Sequence, residues 1–313
     1  MSDERRPTTR ESRREASAIR SEELRRALDD AAKRKPSRLG ELLARHSGLP
    51  GPKPNLALAQ AVAEDLATRP PREALLVLAP LADDDAAPDT AHVFLPMVAA
   101  WGYVALHGQA ESWRRLATLG ADERAPVRLS TGHALASFAA RTPQGGDRLV
   151  GAMAAWLGDD GFPVEDRDVR WGALATALDA IAERGALTTV SDRARLLELV
   201  SRWITELADA PRAAERSDAR RRSLASISVA AALFAKDVHG VADGVAWLEA
   251  ECARARHPDL RRAFEGSLER LAKRGASERA EVLTRLKGAL ESSAKPPRDP
   301  TLERKGTRRR GQG

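Results

Sequence analysis

Cysteine is almost missing from this chain of 313 residues: Cys252 is the single example. One thiol excludes a disulfide framework and any four-thiolate zinc or iron–sulfur site. Aromatic residues make up 4% of the sequence, six of them tryptophan. Runs of β-branched residues and strict apolar/polar alternation are scarce as well, which argues against a sheet. No uninterrupted apolar stretch approaches the roughly 20 residues of a membrane helix. Nothing apolar follows Met1-Ser-Asp-Glu-Arg-Arg, so no secretory leader is expected. Catalytic signatures are lacking too: there is no Gly-x-Ser-x-Gly, Gly-x-x-x-x-Gly-Lys, Gly-x-Gly-x-x-Gly after a strand, or His-Glu-x-x-His. The six histidines (46, 92, 107, 133, 239 and 257) are scattered, and Cys252 with His257 has no further ligand to complete a metal site. These absences predict a soluble, cytoplasmic, non-enzymatic protein with no cofactor, no metal and no evident small-molecule substrate.

What is present is enough apolar sequence for a core, 42% hydrophobic, together with a basic excess of 51 Lys/Arg over 45 Asp/Glu. The excess sits at the ends. Residues 1–50 hold 13 basic and 9 acidic side chains, and residues 292–313 hold 7 and 2. The body between them, with 31 and 34, is slightly acidic. The tail from Lys295 through Arg308-Arg-Arg310 is too polar and proline-rich to pack, so it is predicted to be disordered.

Ala, Leu, Glu and Arg dominate the body, and helical punctuation recurs. Ser21-Glu-Glu-Leu24 opens a helix that Lys35-Pro36 closes. A short one follows at Leu39, Leu42 and Leu43, and Pro50–Pro54 reads as a stiff linker. Asn55 caps Leu56–Arg69, and another helix covers Arg72–Leu81. The acidic loop Asp83–Asp89 precedes an apolar helix over Thr90–His107. Pro96 either kinks that helix or marks a start near Leu95.

From there the chain repeats. Trp113, Trp156, Trp203 and Trp247 are spaced by 43, 47 and 44 residues. Each is followed, 14 to 17 residues on, by Arg128, Arg170, Arg220 or Arg261, and then by an apolar helix. An Asp stands two residues before three of these arginines: Asp168, Asp218 and Asp259. Acting as a cap, it would satisfy free N–H groups and the positive end of the second helix. Two helices in a period of about 40–47 residues, neither able to bury its stripe alone, must stack on neighbours.

This pattern resembles the HEAT-repeat superfamily, whose motif carries an Asp at the inter-helix turn and a Val-Arg opening the second helix. Asp168-Val-Arg170 carries the likeness best. Asp218-Ala-Arg220 and Asp259-Leu-Arg261 change the middle residue, and Pro126-Val-Arg128 lacks the Asp. The likeness covers 109–275. It implies an all-α, right-handed α-solenoid of about five or six HEAT-like hairpins. The organisation expected is a polar segment over 1–54 with one or two short helices and the linker, a solenoid over 55–292 with a capping helix at Ser277–Ser292, and a disordered basic tail over 293–313. The tryptophans then serve packing between repeats, and the arginines form a ladder with aspartates of neighbouring units.

Two Arg-rich loops remain. Arg212, Arg216, Arg220, Arg221 and Arg222 surround one, and Arg254, Arg256, Arg261 and Arg262 the next. They are either an anion or nucleic-acid patch or a solvated edge, and Arg is favoured over Lys throughout this chain. Asp83–Asp85 and Asp159–Asp168 form acidic loops earlier in the array. A remote likeness to HEAT-like bacterial glycosylases of alkylated bases rests on Pro71-Arg-Glu-Ala-Leu, Trp101 and Arg128. That family pairs an aromatic with an Asp one turn on; here Trp101 is followed by Ala105, and Trp156 with Asp160 has only the spacing. The leading expectation is a binding scaffold for a protein partner, and the alternative is a DNA-binding relative that excises no base.

Overall fold

The computed structural model describes residues 22–51, 53–159, 161–183, 185–236, 242–273 and 280–293. Among them there is no strand; helices and short connections account for the whole. Helix α1 covers 22–32 and is followed by α2 (Ser37–His46), α3 (Leu56–Ala67), α4 (Pro71–Ala82), α5 (Phe94–Ala105), α6 (Ala110–Ala121) and α7 (Ala125–Arg141). The chain continues through α8 (Gly145–Trp156), α9 (Arg167–Ala182), α10 (Arg193–Ala208), α11 (Asp218–Phe234), α12 (Ala242–Arg254), α13 (Pro258–Ala272) and α14 (Ala280–Ser292). None of the described helices is long and apolar enough to cross a membrane. The basic tail beyond Ser293 and residues 277–279 of the expected capping helix lie outside the described residues, as do residues 1–21.

The chain divides into two compact units. One contains the described residues up to Asp192 together with Ser217–Ser223, and the other contains Arg193–Arg216 with the described residues from Leu224 on. In the first, α3 packs on α5, α5 on α7 and α7 on α9, while α4 packs on α5, α6 on α5, α7 and α9, and α8 on α7 and α9. In the second, α10 packs on α12, and α12 and α13 pack on α14.

The N-terminal segment is part of the first unit. Leu24, Leu28, Leu39 and Leu43 are buried, and Arg69 of the α3–α4 turn reaches Asp29 at 2.8 Å. The expected linker is a tight loop: Asn55 N–H donates to Ser47 O (2.7 Å), and its side chain bonds His46 O and Leu58 N–H. Asn55 therefore caps α3 as its side-chain chemistry predicts. Pro96 falls in the first turn of α5, where its missing N–H costs nothing.

Each unit is stitched by hydrogen bonds from one hairpin to the next. The buried Trp156 indole donates to Trp113 O (3.2 Å), and the half-buried Trp247 indole to Ser201 Oγ (2.8 Å). Thr176 Oγ1 donates to Gly120 O, Ser223 Oγ to Trp171 O and Ser267 Oγ to Ser228 O. Gly172 lets α9 approach α6: a Cβ there would lie 2.8 Å from Ala121 Cα. Burying each large apolar side chain contributes about 1.5–3 kcal/mol, so the apolar core holds the helices of each unit together.

The cap assignments differ from the sequence expectation. Asp168, Asp218 and Asp259 lie within the first turn of their helices, not at the caps. The capping atoms belong to Asp166, which accepts from Asp168 N–H and Val169 N–H; to Ser217 Oγ, which accepts from Arg220 N–H; and to His257, which accepts from Asp259 N–H. Geometry gives the reason: the Ncap residue keeps extended backbone and turns its side chain back on the next N–H groups, whereas a residue already helical cannot. The three aspartates still sit favourably at the positive helix ends.

Candidate functional site

The repeating arginines answer first for structure. Arg128 Nη1 donates to Asp122 O and Glu123 O, and Arg170 Nη1 to Val164 O and Glu165 O, the same two positions relative to each arginine. Arg261 reaches Leu290 O and Ser293 Oγ, both at 2.6 Å, and so closes the end of α14. For Arg128 the expected aspartate partner is replaced by main-chain oxygens, and for Arg261 by one main-chain oxygen and the Ser293 hydroxyl. A guanidinium satisfies several carbonyls at once, which a loop leaving a helix needs. Arg220 is 1% exposed. That burial removes it from any surface patch.

The other candidate arginines separate. Arg221 pairs with Asp218 (2.9 Å), Arg262 with Asp259 (3.1 Å) and Arg254 with the buried Glu251 (3.4 Å). Arg216 and Arg256 are exposed, and the side chain of Arg212 lies outside the described residues. Arg220, Arg221 and Arg222 belong to the first unit and the rest to the second. The tryptophan markers are core: Trp113, Trp156 and Trp203 are buried, and Trp247 stacks edge-on to Phe234 at 5.8 Å. Cys252 is buried, and burial pushes its thiol up to about 12, so it packs as a neutral small group. Trp101 donates to Ser130 Oγ, and Asp160, the acid spaced from Trp156, lies outside the described residues.

The first unit instead holds an open cleft of about 920 Å³. Its walls are the loop after α4 (Asp83, Asp84, Asp85), the α6–α7 turn (Asp122, Glu123, Arg124), the start of α9 (Asp166, Asp168) and the start of α11 (Ser217, Asp218, Arg222). Eight carboxylates face two guanidinium groups. The residues that build it are those that punctuate helices, so a cleft rich in Asp follows from placing successive loops on one edge.

Arg124 holds this edge together. Its Nη1 donates to Asp84 O (2.8 Å) and Ala86 O (3.1 Å), while Nε and Nη2 take both oxygens of Asp122 (2.9 and 2.7 Å). The Asp122 bonds raise its pKa further above the ordinary arginine value. Asp83 is taken by Arg115 at 2.8 Å. The Arg221 hydrogen bond, aided by the charges of Arg222 and Arg128, holds Asp218 below the usual carboxylate range. Arg222, half-buried beside Asp218, is lowered by burial and then by the like charge of Arg128. The carboxylates of Asp85 and Glu123 accept no hydrogen bond and make no ion pair among the described residues, so the cleft keeps unspent negative charge.

Among the described residues no three His, Cys, Asp or Glu side chains converge as a metal site. The carboxylates are spread along the walls, a distribution suited to an extended cationic ligand and not to one ion. The acidic loops Asp83–Asp85 and Asp159–Asp168 are legible in the sequence; of the second only Asp166 and Asp168 line the cleft, and Asp122, Glu123 and Asp218 join them. The signal was there: acidic residues recur at every second inter-helix turn, before α5, α7, α9 and α11, with roughly the period of the tryptophans.

No family model matches the sequence, and no curated protein matches it.

Proposed function

We propose that the protein is a non-enzymatic scaffold of the HEAT-like, right-handed solenoid kind, acting in the cytoplasm and binding another protein. The observation that carries this reading is the cleft with eight carboxylates to two arginines, built from successive inter-helix turns. Its partner is a Lys/Arg-rich segment of another protein, which would pair with Asp85, Glu123 and their neighbours as they lose solvent. The hydrogen bonds that tie one hairpin to the next support the stacked arrangement. Against nucleic acid stand the burial of Arg220 and the ion pairs of Arg221, Arg254 and Arg262.

The test is capture from native lysate with the full chain, with and without nuclease, beside an Asp85→Asn/Glu123→Gln variant. The reading expects a protein partner that survives nuclease and is lost from the variant. Capture abolished by nuclease, and unchanged in the variant, would favour the DNA-binding alternative.

A further inference from the structure

A second concavity of the first unit, about 370 Å³, lies between α4 and the α5–α6 region. Leu75, Leu76 and Ala79 of α4 make its apolar wall, and Leu76 is left 43% exposed. Tyr103 of α5 lines it while being only 1% exposed. The charges of Arg115, Asp83 and Glu111 act on that phenol, which puts its hydroxyl at the charged end of the groove. Among the described residues the hydroxyl has no hydrogen-bond partner, and it opens on the groove, where water or a ligand can accept from it.

The carboxylates at this end are already occupied. Arg115 takes Glu111 through Nε (3.2 Å) and Asp83 through Nη1 (2.8 Å), and Arg114 also lies 3.6 Å from Glu111. Arg72, exposed on α4, has no ion pair among the described residues, and the Gln109 amide faces the same space. The groove therefore offers an apolar wall, one buried hydroxyl donor and one unspent cation. Burial raises the Tyr103 hydroxyl to about 12, so it remains a donor across the physiological range.

We infer that this groove binds a small apolar carboxylic acid, its hydrocarbon against Leu75, Leu76 and Ala79 and its carboxylate between the Tyr103 hydroxyl and Arg72. The volume suits a body of roughly ten non-hydrogen atoms. This site is separate from the acidic cleft, and its ligand carries the opposite charge.

Octanoate, octanol and octylamine, titrated into the full chain by calorimetry and ligand-observed NMR, test the assignment. Octanoate is expected to saturate the protein, with octanol about tenfold weaker and octylamine weaker still. Tyr103→Phe, which keeps the ring, should weaken octanoate about tenfold. Arg72→Ala should weaken it several-fold, and because that side chain is exposed the variant decides the matter even if Tyr103→Phe fails to fold. Equal binding of the three probes, no saturation by octanoate, or an unchanged affinity in Arg72→Ala would overturn the inference.

Discussion

Arg128 and Arg170 do the same job in successive hairpins, each folding back on two carbonyls of the loop that leads into its own helix. Arg128→Ala is expected to cost about 1–2 kcal/mol in urea unfolding, because it strips charge-assisted bonds from part-buried carbonyls. Arg221→Ala, whose exposed ion pair with Asp218 is screened by water, should stay within about 0.5 kcal/mol. Equal costs would remove the structural role given to Arg128. His107 supplies a pH prediction. Burial, and then the Arg148 guanidinium that contacts its ring nitrogen, hold its pKa below the ordinary value. The folded state thus binds a proton less readily than the unfolded chain. This contribution to stability is full above about pH 6.5, the ordinary histidine value, and is lost as pH falls below it. The unfolding midpoint should therefore fall between about pH 7.5 and 5.5, and His107→Asn should flatten that slope. An identical slope in the variant would show that other groups carry it.

At the scale of elements, the register of the second helices was legible because Trp and Arg recur at fixed offsets. The capping atoms were not. Asp168 has the right residue type in the right turn, yet Asp166, two residues earlier, holds the extended backbone from which a side chain can reach the first N–H groups. Residue type alone cannot choose between two aspartates so close together; backbone conformation does. The assignment predicts that Asp166→Ala costs about 1 kcal/mol while Asp168→Ala costs a few tenths, both read by urea midpoint. The reverse order would return the cap to Asp168. The closure of the Pro50–Pro54 segment was likewise not legible, since Asn55 ties it back to the end of α2 through bonds that composition does not encode.

At the scale of the molecule, the absence of alternation and the abundance of helix formers identified the all-helical class. The charge account was harder. Arg-rich loops stand out in a sequence, but ion pairs and burial consume most of them, and Arg220 vanishes into the core. The acidic residues, dispersed over about 135 positions, draw less notice until folding gathers Asp83–Asp85, Asp122, Glu123, Asp166, Asp168 and Asp218 around one cleft. The most direct test is fluorescence anisotropy of an Arg/Lys-rich peptide, and of duplex DNA of similar length, titrated with the full chain. The account predicts that the peptide binds, that its affinity falls steeply between about 50 and 200 mM salt, and that Asp85→Asn/Glu123→Gln weakens it at least about tenfold while DNA binds poorly throughout. Tighter binding of the DNA, or a peptide affinity indifferent to both substitutions, would contradict it.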